Sequence, residues 1–92
     1  MTNKTTLNLG NALDIVHVGT LKPRLLSALE KKPHVVLIAD KVERTDTAGV
    51  QLIYSFMQYA ENKDVVISWQ KPSVNLLNTV AKLGMSTSLK FI

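Results

Sequence analysis

Along the 92-residue chain, short β-branched runs alternate with longer stretches in which apolar residues recur at helical spacing. Leu7-Asn8-Leu9 alternates apolar and polar as a half-buried strand does, and Gly10-Asn11 punctuates it. After Asp14, a good N-cap residue, the positions Ile15, Val18, Leu21, Leu25, Leu26 and Leu29 predict a helix over 15–31, with Lys31-Lys32 at its end and Pro33 just beyond. Pro23 lies inside that pattern and lacks the N–H that would bond the Gly19 carbonyl. The helix therefore either kinks there or begins near Thr20. Val35-Val36-Leu37-Ile38-Ala39 reads as a central strand covered on both faces. Beyond the loop 40–46, Val50, Ile53, Phe56, Met57 and Ala60 mark a helix over 47–61, ended by Asn62-Lys63-Asp64. Val65-Val66-Ile67-Ser68-Trp69 is another buried-type strand. Lys71-Pro72 opens a last helix with Leu76, Leu77, Val80, Ala81 and Leu83 inward and Gly84 as its C-terminal cap, and Ser88–Ile92 closes as an edge strand.

Strands this short, joined by helices of ten or more residues, need crossover connections. The order therefore predicts an α/β fold, a single domain over 1–92 with a largely parallel four-stranded sheet and three main helices. Open parallel sheets meet their ligands and partners at the carboxyl ends of their strands. The loop from Asp40 to Gly49 leaves the carboxyl end of the central strand, which makes it the first place to look for function.

Composition narrows the classes. Charged residues are 20% of the chain and apolar residues 46%, the balance of an ordinary globular domain. No apolar run approaches the roughly 18 residues of a membrane-spanning helix. The first residues, Met1 to Thr6, lack the apolar core of a signal peptide, and the absence of cysteine removes a disulfide scaffold, so a cytoplasmic protein is expected. A net charge of +4 raises the question of nucleic acid, but the eleven Lys and Arg are dispersed, with only Lys31-Lys32 adjacent; a mildly basic surface is the better reading.

The same sparseness applies to catalysis. His17 and His34 have no Cys or carboxylate at ligand spacing, so no metal is expected. Ser55 and Ser73 have no nucleophile-elbow setting, and the glycines at 10, 19, 49 and 84 are too scattered for a phosphate loop, so no cofactor is expected and the chain is read as non-enzymatic. Phe56 and Met57 fit the inner face of their helix with Tyr54 and Tyr59 at its margins, and Trp69 suits the core or its rim. What remains is Asp46-Thr47-Ala48-Gly49, a hydroxyl at the positive end of a helix dipole, beside small residues that let another protein approach closely. On residue chemistry alone, Asp46 or Thr47 is an N-cap worth about 1 kcal/mol.

The run Val42-Glu43-Arg44-Thr45-Asp46-Thr47-Ala48-Gly49 resembles, without gaps, the signature of the STAS domain: apolar, two variable residues, apolar, Asp, Ser or Thr, Ser or Ala, Gly. Asn11-Ala12-Leu13-Asp14 stands where that family often has Gly-Glu-Leu-Asp, and Lys82-Leu83-Gly84-Met85 resembles the end of its last helix; the resemblance covers about residues 7–92. Thr45 occupies a usually apolar position and Ala48 replaces a second Ser. The acid that ends the central strand is shifted to Asp40. The resemblance implies a regulatory protein without cofactor that docks a protein partner, as anti-sigma-factor antagonists do. It makes Thr47 a candidate phosphoryl acceptor and Asp46, Thr47, Ala48, Gly49, Asp40, Lys41 and Arg44 the candidate contact residues. The implied partner is an anti-sigma factor doubling as a serine/threonine kinase, or a bacterial chemotaxis or signalling component. The alternative partner is the ATPase of a phospholipid ABC transporter, for which Thr47 would be a contact only. A small nucleotide-binding protein or enzyme is the reading from another class, and the sequence supplies almost none of the convergent polar groups it needs.

Overall fold

A computed structural model describes residues 4–31 and 33–91. Met1 to Asn3, Lys32 and Ile92 lie outside them, and with them one half of the Lys31-Lys32 pair and the last residue of the expected edge strand. The elements are β1 (Lys4–Asn8), β2 (Ala12–Leu13), α1 (Val18–Lys31), β3 (His34–Ile38), β4 (Arg44–Thr45), α2 (Thr47–Asn62), β5 (Val66–Gln70) and α3 (Val74–Lys82).

β3 is central, as its β-branched run predicts, and pairs in parallel with β1 on one side and β5 on the other. The register sets Leu7 opposite Leu37 and Leu37 opposite Trp69, so one face of the sheet is apolar. On that face Leu7, Val35, Leu37 and Ile67 join Leu21, Leu25, Ala28 and Leu29 of α1, Val50, Ile53, Phe56, Met57 and Ala60 of α2, and Leu76 and Val80 of α3 in one core cluster. Tyr54 and Trp69 pack at its margin.

The main sheet has three strands where four were expected, and the difference lies at the C-terminus. Residues 86–90 form turns instead of an edge strand: Leu89 N–H donates to the Met85 carbonyl, Phe91 N–H to that of Ser86, and Lys90 has a φ of 66°. The apolar alternation there has another use. Leu89 is fully buried, Phe91 stacks on Trp69 at 4.6 Å, and the Trp69 indole N–H donates to the Leu89 carbonyl at 2.8 Å. The segment thus seals the β5 edge with side chains and one side-chain hydrogen bond.

A second, two-stranded parallel sheet was not anticipated. β2 and β4 pair with Ala12 opposite Arg44 and Leu13 opposite Thr45. Each of the first two strands of the main sheet is thus followed by a short strand and then a helix, β1-β2-α1 and β3-β4-α2, and the two short strands join the units beyond the carboxyl ends of the main strands. α1 begins at Val18, three residues later than expected, and carries Pro23 inside it. Ile15, placed above in the apolar repeat of this helix, is therefore in the β2–α1 loop, 65% exposed.

Candidate functional site

The turn after β4 is built around one carboxylate. Asp46 has an extended backbone, with φ of −130° and ψ of 178°, the conformation of a helix N-cap. Its Oδ1 accepts from the Gly49 N–H at 3.0 Å, while its Oδ2 accepts from the Ile15 N–H at 3.0 Å, 31 positions away in the chain. Its own N–H donates to the Leu13 carbonyl at 3.1 Å. Asp46 therefore caps α2 and straps it to the β2–α1 loop at the same time.

Thr47 is the first residue of α2 and is exposed; Ala48 is half-buried beside it. Gly49 differs from its expected role. It is buried, and a Cβ built on it would lie 2.0 Å from the Leu13 carbonyl oxygen and 2.8 Å from Leu13 Cγ. Its missing side chain admits the backbone of β2, and an approaching protein would not meet it. Asp40 and Lys41, both exposed, form the turn after β3, which the start of α3 holds: Ser73 N–H donates to the Ala39 carbonyl at 2.9 Å and Ser73 Oγ–H to the Val42 carbonyl at 2.6 Å. Arg44 is exposed on β4 and lines a cleft with Asn11, Ala12, His17 and Glu43. The seven expected residues thus fall into a capped turn at 46–49, a neighbouring turn at 40–41, and Arg44 on the side toward α1.

Two residues outside the expected contact set stand on the loop bonded to this turn. Ile15 is 65% and Val16 77% exposed, on a loop that is nevertheless closely held. His17 and Val18 N–H both donate to the Asp14 carbonyl, and the His17 ring Nδ1 lies 2.6 Å from Asp14 Oδ1. The hydrogen bond from His17 holds the Asp14 carboxyl below the usual carboxylate range, with the charge on His17 and the backbone N–H groups of His17 and Val16 adding to it and desolvation opposing. The available signal was Asp14 followed by His17 at turn spacing, with Val16 off the helical repeat. On the other flank Val74, the first residue of α3, is 72% exposed, and its neighbour Asn75 accepts the Thr45 hydroxyl at 3.0 Å. Exposed apolar side chains thus stand on the β2–α1 loop, which Asp46 holds, and at the start of α3, to which Thr45 is bonded.

Among the described residues, no group of three or more His, Cys, Asp and Glu side chains comes together to hold a metal ion, and no helix is long and apolar enough to cross a membrane. No curated protein matches the chain by sequence. Among solved structures, that of the anti-sigma factor antagonist SpoIIAA in its unphosphorylated form superposes with a TM-score of 0.72, covering 95% of this chain and 77% of that one. At 16% identity the likeness is one of fold. The model of the STAS domain matches residues 2–92, and the chain belongs to that family.

Proposed function

We propose that this chain is a non-catalytic regulatory protein that docks a signalling partner on the surface around Asp46-Thr47-Ala48, and that Thr47 is its phosphoryl acceptor. The observation that carries the reading is the exposed Thr47 hydroxyl on a capped, buttressed helix start, flanked by Ile15 and Val16. Membership of the STAS family and the fold shared with an anti-sigma factor antagonist support the regulatory class. The partner is a kinase-like anti-sigma factor or a related signalling protein.

In the transfer, Thr47 Oγ1 attacks the γ-phosphorus of a nucleoside triphosphate held by the kinase. Its proton passes to a base of that kinase, and the nucleoside diphosphate leaves. The product carries about −1.5 to −2 charge at the start of α2. The helix tolerates an anion there, because its first N–H groups and its dipole favour one. A partner packed on Ile15 and Val16 does not, since it meets a bulky dianion beside Asp46 at an apolar contact.

The test is recovery of partners from cell extract on immobilised native protein, Thr47→Ser and Thr47→Asp, each shown by circular dichroism to be folded. A partner held by the first two and lost with Thr47→Asp supports the switch. Equal recovery of every partner by all three refutes it.

A further inference from the structure

Two adjacent β-branched side chains, Ile15 and Val16, stand in water on a loop that is fixed at several points. Exposed apolar groups add nothing to folding, yet a rigid display lowers the ordering cost of binding. What fixes the loop is divided between local and distant bonds. The local ones are the turn from Asp14 to His17 and Val18, and the contact between the His17 ring and Asp14. The distant one is the Asp46 carboxylate, whose second oxygen takes the Ile15 N–H. Leu13, immediately before this loop, receives the Asp46 N–H and lies against Gly49.

A helix cap needs only one side-chain oxygen, and Ser, Asn and Asp serve nearly equally. The second oxygen of Asp46 is therefore surplus to capping, and it goes to the Ile15 N–H, the one distant bond among those that hold the loop carrying Ile15 and Val16. We infer that Asp46 is the positioning residue of the docking surface: one carboxylate oxygen holds the start of α2, the other holds the apolar pair, and the hydroxyl turn and the Ile15–Val16 loop present themselves as a single rigid unit. This rests on the reading of the turn as a docking surface, and it adds that the turn and the loop are one element, with Asp46 as the joint.

The test needs no partner, so its failure is distinct from that of the docking reading. Amide hydrogen exchange is followed by NMR in the native chain, in Asp46→Asn and in Asp46→Ser. Gly49 and Ile15 donate to different oxygens of Asp46; Asn puts a nitrogen that cannot accept in place of one of them, and Ser has a single oxygen on a shorter stem, so both cap at Gly49 and neither keeps an acceptor where Oδ2 meets Ile15. The expected result is exchange at the Ile15 amide faster by about tenfold in both variants, the loss of a hydrogen bond to a charged group, with protection at Gly49 and in the rest of α2 kept within about threefold. Unchanged protection at Ile15 in both variants overturns the inference. So does a uniform loss along α2, which would make Asp46 a cap and nothing more.

Discussion

Gly49→Ala separates two uses of a glycine at a helix start. Gly49 has no unusual backbone conformation, so if its small size serves only the approach of a partner, alanine gains about 1 kcal/mol of helix propensity and the protein becomes more stable. The packing says otherwise. The new Cβ would lie 2.0 Å from the Leu13 oxygen, where ordinary contact begins at 3.4 Å, so β2 and α2 must part by the difference, 1.4 Å. The nearest obstacle is backbone, which cannot rotate away. Overpacking of this kind costs about 1–3 kcal/mol. Parting the two elements also stretches the Asp46-to-Leu13 and Ile15-to-Asp46 hydrogen bonds, each worth about 1 kcal/mol or more. Against the propensity gain, the net loss is about 2–4 kcal/mol. For a domain of this size that lowers Tm by about 10–25 °C, measured by thermal denaturation followed by circular dichroism. A Tm equal to or above that of the native chain refutes the packing argument and restores the expectation that Gly49 faces a partner.

Three further outcomes follow from particular contacts. Ser73→Ala removes both the oxygen that caps α3 at the Leu76 N–H and the donor to the Val42 carbonyl, and should cost about 1–2 kcal/mol in urea unfolding. Trp69→Phe leaves the Leu89 carbonyl without its donor while keeping an aromatic ring near Phe91, and should cost about 1 kcal/mol by the same assay. The Asp14 carboxyl titrates below the usual range, so its contribution to stability is present above the unfolded value and is lost as pH falls through the folded one. In His17→Ala its titration, read by NMR, should move back up toward the ordinary carboxylate value; no movement would remove His17 as the cause.

Where the sequence was legible, the pattern had one physical meaning. A five-residue apolar run between Pro33 and Asp40, three of its residues β-branched and too short for a helix, fits a buried strand, and the repeat from Val50 to Ala60 fits one face of a helix. It was illegible where a residue type has two uses. Ile15 continues the apolar repeat of α1, but α1 starts after the Asp14–His17 turn and leaves Ile15 on a loop. Leu89 and Phe91 alternate as strand residues do, yet they serve as side-chain cover for Trp69 on a turning backbone. β2 and β4, of two residues each, are too short to show any period. Gly49 was found as a motif position, but the atom that requires it belongs to a residue 36 positions earlier, Leu13, and only the fold brings them together.

The two threonines flanking Asp46 stand in different settings, and the proposed switch predicts that only one of them is modified. Thr45 lies in β4, half-buried, and its hydroxyl donates to Asn75 Oδ1, joining the small sheet to the start of α3. A polar residue at a usually apolar position thus has a partner, and phosphorylating it would have to break the hydrogen bond that links β4 to α3. Thr47, two residues on, stands exposed at the first position of a helix, where added negative charge is favoured. A kinase that acts on the folded protein should therefore modify Thr47 and leave Thr45. Incubated with the kinase-like partner that the proposed function calls for and with nucleoside triphosphate, the native chain should gain a single phosphoryl group by intact mass, Thr45→Val should gain the same group, and Thr47→Val should gain none. Thr45→Val should also unfold within about 1 kcal/mol of native, because the bond it loses is solvent-accessible. Phosphorylation that survives Thr47→Val and disappears with Thr45→Val would reverse the assignment.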